Sequence, residues 1–401
     1  MANQYLLLVA LLLPVVAILW SKRRTSAVAP PVARVEVKES DIIKPVKPLN
    51  RTLVQTDHIT VSRLFVFPIK SCRGTELQEA RWTPIGFEYD RKWCIVKAED
   101  QRVLTLRQHA EMVHIHPRIL PDPTSPYGGV LTVEVPLSTG TKTFSLPLNP
   151  TPEMLETWRR CSDVVMFEIF EMDGYVCQSL SQPQEQESPS DILSAFLGRP
   201  VLLLMKSAEE ERMAPPTEAF PDLVAPVCYP DVYPIHFASE ESLESLSSTV
   251  NLAAQLGGTE LPKEVRGIAG EWVGRKLEME RFRPNIVLKG SGVPYAEDLW
   301  REVEIESQSA SAPTQTQTKG MSQIITVVDQ CARCLLPNVD PSTGIRDPAI
   351  PNKVITRYGN ANRKKKPIFG TYAVPEGDGY VRVGDRVRVR KWVGVDEEVG
   401  M

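Results

Sequence analysis

The sequence predicts a β-rich α+β protein in two closely joined units behind an N-terminal membrane helix. Three observations carry that prediction. Short runs of β-branched and aromatic residues, stopped by Pro or Gly, recur between residues 59 and 393. Helical signals are strong in two stretches, near 190–197 and 239–256. An apolar run at the N-terminus is followed at once by Lys22-Arg23-Arg24. The chain has 401 residues, 42% hydrophobic and 24% charged, enough to build a large core without covalent staples.

Taken in order, residues 5–20 are apolar throughout apart from Pro14. At about 1.5 Å per residue they span about 24 Å, somewhat less than a ~30 Å hydrocarbon core, a gap that flanking residues and local thinning close. The positive charges follow the run instead of preceding it, so residues 1–24 read as an anchor that leaves the rest of the protein in the cytosol. Residues 25–57 are rich in Pro, Val and basic residues without a period and read as a flexible tether. A first β-rich unit is expected over 58–205, with strands near 59–67, 92–97, 102–106, 130–135 and 165–169 and a short helix at 190–197 ended by Gly198. A second unit is expected over 206–401. Its helix at 239–256 has Ser239 as N-cap and Gly257-Gly258 as stop. A strand region follows at 380–393, where Arg382, Arg386, Arg388 and Arg390 form a solvated face. Polar low-complexity stretches near 181–190 and 307–320 read as disordered insertions.

Composition removes several function classes. A net charge of -4 gives no general attraction to nucleic acid. The seven cysteines are odd in number and irregularly spaced, which argues against a disulfide framework and for a reducing compartment. Cys331 and Cys334 form the one C-x-x-C pair, so a four-cysteine zinc site lacks its second half. No G-x-G-x-x-G fingerprint for a dinucleotide is present.

Four segments carry candidate chemistry. In Phe67-Pro68-Ile69-Lys70-Ser71-Cys72-Arg73-Gly74, turn amides, a hydroxyl and cations suit a phosphate, although a plain polar turn has the same composition. In Asp90-Arg91-Lys92-Trp93, Arg91 suits a bidentate anion or a neighbouring carboxylate. In Phe282-Arg283-Pro284-Asn285, Arg283 and Asn285 face the same way if the backbone is extended; they suit a phosphate or a heterocycle edge, or Asn285 serves its own turn. Cys331-Ala332-Arg333-Cys334 places thiols beside a guanidinium, which favours a thiolate and a soft metal. A redox dithiol, half a zinc site, a single-cysteine ligand to a cofactor-borne metal and two core cysteines all remain open on spacing alone.

Together these segments, with Val339-Asp340-Pro341-Ser342-Thr343-Gly344, resemble the MOSC family, and within it the mitochondrial amidoxime-reducing component family, over roughly residues 60–395. The resemblance implies a MOSC β-barrel domain packed with an N-terminal MOSC-associated β-rich domain. It implies a Mo-molybdopterin cofactor whose metal is ligated by Cys334, with Lys70, Ser71, Arg91, Arg283 and Asn285 holding the molybdopterin and Ala332 and Arg333 lining it. The turn Asp231-Val232-Tyr233-Pro234 aligns with another cofactor contact. The implied activity is reduction of N-hydroxylated compounds: amidoximes, hydroxylamines, N-oxides or nitrite. The resemblance further implies that electrons come from a b-type cytochrome and its NADH-dependent reductase, at the cytosolic face of the mitochondrial outer membrane. Sulfur transfer and cofactor carriage are the alternatives, without the pyridoxal-phosphate chemistry of a desulfurase. The chain departs from the animal proteins at Leu336-Pro337-Asn338 and at His236, which is read as a satisfied core residue.

Overall fold

The computed structural model describes residues 51–180, 187–208, 211–260, 268, 270–306, 323–358 and 366–394. The expected anchor, the tether before residue 51, residues 181–186 of the first expected insertion and the whole of the second (307–320) lie outside these residues, whereas residues 187–190 of the first are described and open a helix. Among the described residues no helix is long and apolar enough to cross a membrane.

Seven strands close into a barrel: β1 (Thr60–Val66), β2 (Ile235–Ser239), β3 (Ile286–Lys289), β4 (Trp300–Glu306), β5 (Ile324–Ala332), β6 (Ile368–Pro375) and β7 (Arg386–Trp392). Their order around the barrel is β3-β2-β6-β5-β4-β7-β1, with β1 paired back to β3. Neighbours run antiparallel except β2 and β3. That parallel pair needs a crossover, and helix α1 (Glu240–Glu260) lies within it. Alternate side chains fill the interior, among them Val61, Leu64, Phe237, Ile286, Trp300, Val303, Ile325 and Val387. The closing strand comes from the N-terminal part of the chain: Thr60 pairs with both Lys289 and Arg386. The barrel therefore draws strands from both of the stretches expected to form separate units.

The two largest sheets outside the barrel are an antiparallel one (Trp93–Lys97, Val201–Lys206, Phe170–Val176, Arg160–Met166) and a meander (His116–Pro121, Gly129–Leu137, Gly140–Pro147). They share a core containing Trp93, Ile95, Leu131, Val133, Leu193 and Leu203. The same core takes in Ile69, Cys72 and Val339, so it grips the chain on either side of the motif residues.

Several expected elements change. Residues 51–58, assigned to the tether and the first residue after it, form two 3-10 turns, and the Gln55 amide donates to the Ser291 carbonyl at 2.8 Å. The short helix is Pro189–Leu197, started by a Ser188–Asp191 capping box. Helix α1 continues past Gly257-Gly258 to Glu260, since glycine weakens a helix by about 1 kcal/mol without forbidding it. Residues 102–106 make only isolated bridges, Val96 to Val103 and Arg102 to Val165. The 165–169 run stops at Met166, where Phe167 and Glu168 take φ of 58° and 62° and turn the hairpin. The 380–393 stretch is split by a turn at Gly384 (φ 95°) into Gly379–Arg382 and β7. Its arginines do face outward, paired with Glu79, Asp57, Glu306 and Glu304.

Gly290 follows β3 with φ 95°, and a Cβ there would sit 2.0 Å from the His58 carbonyl oxygen. Gly290→Ala is expected to destabilise the protein by about 2–4 kcal/mol, the sum of left-handed strain and overpacking. Urea unfolding measures this. An unchanged midpoint would mean that residues 51–58 do not need their seat on the barrel.

Candidate functional site

A cleft opens beside the barrel, lined from the ends of β1 and β5 and from the segments that lead into β2 and β3. All eight residues singled out in the sequence line it: Lys70, Ser71, Arg91, Arg283, Asn285, Ala332, Arg333 and Cys334. The segments that supply them lie up to 264 positions apart (334 minus 70) and meet because β1 pairs with β3.

Tight backbone turns aim the side chains. Ser71, Arg91 and Arg283 have φ of 68°, 48° and 55°, a left-handed conformation that glycine usually fills. Here each must keep its side chain. The extended backbone expected at Arg283 is therefore absent, yet Arg283 and Asn285 both reach the cleft. Phe67 is held between two guanidinium groups, with Arg91 4.4 Å and Arg283 4.2 Å from its ring centre. Asp90 is buried behind this stack, where it accepts from the Phe67 amide at 2.8 Å and pairs with Arg91. Asn285 is largely committed to the fold: its side chain donates to Phe65 O and accepts from His236 N and Arg91.

Lys70 is buried. Its ammonium donates to the Tyr229 carbonyl at 3.0 Å and forms an ion pair with Asp231. Burial pushes the Lys70 pKa down, against the pull of Asp231. Burial alone would raise the Asp231 pKa, but the charges of Lys70 and Arg107 hold it well below the usual carboxylate range. Burial, with Arg91 close by, also pushes Arg283 down. Five cations line the cleft (Lys70, Arg91, Arg107, Arg283, Arg333) against one carboxylate, Asp231. Two of their nitrogens, Arg283 Nη2 and Arg333 Nε, are buried and have no hydrogen-bond partner among the described residues. Excess positive charge and orphaned donors both fit a bound polyanion.

The cysteine pair is not symmetric. Cys331 is fully buried, its thiol pushed up by burial, and Arg333 Nη1 donates to it at 2.6 Å. Cys334 is half-buried and lines the cleft, where its sulfur accepts from Arg107 Nε at 3.2 Å and from the Leu336 amide at 3.4 Å. Among the described residues, no three His, Cys, Asp or Glu side chains gather to hold a metal. A metal at Cys334 would then take its other ligands from a bound molecule. His236 also lines the cleft, with Nε2 3.2 Å from the Phe369 carbonyl. Burial and the charge of Arg333 keep its pKa well below the usual value, so it is a neutral, satisfied imidazole.

Arg107 and Tyr372 belong to the lining and were missed in the sequence, and Phe282 lines it from a motif in which no role was assigned to it. Arg107 follows the stretch misread as a strand, and nothing in its own neighbourhood marks it.

Residues 58–180 match the MOSC N-terminal beta barrel domain and residues 226–388 the MOSC domain. Mitochondrial amidoxime-reducing component 1 of Mus musculus is 30% identical over 342 residues, covering 82% of this chain and 81% of that protein. Its Homo sapiens counterpart is 28% identical, covering 82% of each chain. Mitochondrial amidoxime reducing component 2 of Rattus norvegicus is 27% identical over 344 residues, again covering 82% of each.

Because Cys334 lines the cleft while Cys331 is enclosed, iodoacetamide on the folded, metal-free protein should modify Cys334 well before Cys331. Peptide mapping by mass spectrometry reads the order. Equal rates would contradict the asymmetry.

Proposed function

We propose that this chain, which belongs to the amidoxime-reducing component family of MOSC-domain proteins, is a molybdenum cofactor-dependent reductase of N-hydroxylated compounds. One observation carries the reading: a half-buried thiol at the end of a cleft that holds five cations and two orphaned guanidinium nitrogens. Bound there, Mo-molybdopterin supplies the two-electron redox chemistry that breaks an N–O bond.

The chain's own residues bind and orient. Arg91, Arg283 and Arg333 balance the charge of the cofactor's phosphate, and the unpaired N–H groups of Arg283 and Arg333 become donors to the cofactor. Ser71 offers its hydroxyl from a rigid turn, and Ala332 leaves room beside the chain leading to the ligand. Lys70 acts mainly through Asp231, holding that carboxylate anionic next to Arg107. Cys334 is the protein's ligand to molybdenum. Cys331 stays structural, its thiol kept protonated by burial. His236, neutral and bonded, is no proton donor in this scheme.

Without a dinucleotide fingerprint, the reducing equivalents are proposed to arrive through a b-type cytochrome served by an NADH-dependent reductase. An anchor in residues 1–24 would place the cleft on the cytosolic face of the mitochondrial outer membrane and raise the local concentration of membrane-bound donors. The substrates proposed are amidoximes, hydroxylamines and N-oxides.

Purified, cofactor-loaded protein with an artificial electron donor should contain one molybdenum per chain and reduce benzamidoxime. Intact molybdenum without turnover would favour the carrier reading instead. Cys334→Ser should keep the fold and lose turnover by roughly 100-fold or more, beyond the roughly 10–100-fold typical of altering an outer-shell partner of a metal site. Cys331→Ser should remain active. The reverse pattern would exchange the roles of the two cysteines.

A further inference from the structure

Among the described residues the sulfur of Cys334 meets one side-chain donor, Arg107, which belongs to none of the four motifs. The Arg107 guanidinium is fixed on three sides. Nε donates to the sulfur at 3.2 Å, Nη2 to Asp231 at 3.1 Å, and the group lies 4.6 Å from the ring centre of Phe167. Its own backbone carbonyl accepts from Arg346 Nη2 at 2.7 Å, so the chain beneath is also held. The cations of the cleft differ in exposure: the side chain of Lys70 is 5% exposed and that of Arg91 12%, but that of Arg107 is 38%. The first two lie deep, where a polyanion is enclosed. Arg107 stands at the open end, on the sulfur.

We propose that Arg107 is a positioning residue that orients the Cys334 sulfur and tunes it as a ligand, with Asp231 and Phe167 keeping the guanidinium from swinging onto the cofactor's phosphate. The proposal rests on the reading of Cys334 as the molybdenum ligand. An N–H donor and a full positive charge beside a thiolate draw electron density from it. The sulfur then donates less to a bound metal, and the reduced, more electron-rich state is favoured. Hydrogen bonds to ligating sulfurs are an established control on metal potentials. The task needs the planar fork: a lysine can serve the sulfur or Asp231, not both with the same geometry.

The test uses the cofactor-loaded full chain and the variants Arg107→Gln and Arg107→Lys. Molybdenum content, the Mo(V) electron paramagnetic resonance spectrum, the potential from a redox titration, and kcat and KM with benzamidoxime are measured. Arg107→Gln should hold molybdenum, change the Mo(V) signal, shift the potential downward and lose roughly 10–100-fold in kcat with KM unchanged. Arg107→Lys, which keeps the charge and loses the fork, should fall between. A Gln variant with the wild-type signal and potential at equal molybdenum content overturns the proposal and leaves the reductase reading intact. If the Gln variant fails to fold or load, the same readouts on the Lys variant decide. Wild-type protein without molybdenum removes the reductase reading and this inference with it.

Discussion

The constraint on which the site depends is the burial of positive charge. Lys70, Arg91, Arg283, Arg333 and Arg107 converge on one cleft, and few neighbouring groups can answer them. Burying cations costs several kcal/mol each unless partners surround them. Asp231 answers two at once, pairing with Lys70 and Arg107. Asp90 answers Arg91 while it also fixes the Phe67 amide. Backbone carbonyls of Tyr229, Cys72 and Phe282 take up Lys70, Arg283 and Arg333. Aromatic faces supply the rest, Phe67 for two of the arginines and Phe167 for Arg107. The compensation is still incomplete. Two buried guanidinium nitrogens lack partners among the described residues, and burial pushes Arg283 toward the neutral form. A site left so positive is built for an anion that completes it.

Holding these cations apart from one another requires a stiff frame, and closure of the barrel provides it. β1 lies between β3 and β7, so the turn that carries Lys70 and Ser71 leaves the barrel beside the segment that carries Arg283. Asn285 fastens that junction, bonding to Phe65, His236 and Arg91 with one amide. The left-handed residues Ser71, Arg91 and Arg283 follow from the same demand. Each turn must reverse sharply and still present a polar side chain, so glycine cannot replace them, and the strain is borne by packing around them. The core that includes Ile69, Cys72 and Val339 supplies that packing.

Much of this was legible in the sequence, for identifiable reasons. The eight residues that the resemblance singled out sit in short motifs and all line the cleft, whereas residue type alone left plainer readings open for each. The strands with clean alternation, such as β1 and Gly129–Leu137, declared their period. What was not legible depended on contacts distant in sequence. Arg107 acquires its role from Cys334, 227 positions away, and from Asp231, 124 away, so its own neighbours say nothing. The seat of residues 51–58 depends on Ser291 and Arg386. The 102–106 run has strand-like residues but only isolated partners, and propensity alone does not make a strand without a ladder. The two cysteines are alike by spacing and separate only when burial is known.

Geometry also narrows the effect of the departures at 336–338 and 236. Of the three residues in Leu336-Pro337-Asn338, Asn338 is committed to the fold: it donates to the Asp347 carbonyl at 2.9 Å and accepts from the Asn352 amide at 3.1 Å. Pro337 is buried, and its carbonyl faces Arg281. Only Leu336 lines the cleft, and its amide donates to the Cys334 sulfur. A change in this triplet therefore reaches the cleft through one apolar side chain beside the sulfur. His236 is fixed between the Phe369 carbonyl and the tilted ring of Tyr372, 5.8 Å away, and its neutrality leaves the charge of the site untouched. At both positions this chain's own residues therefore set the shape and polarity of the cleft wall, and neither one pairs with the cations of the cleft.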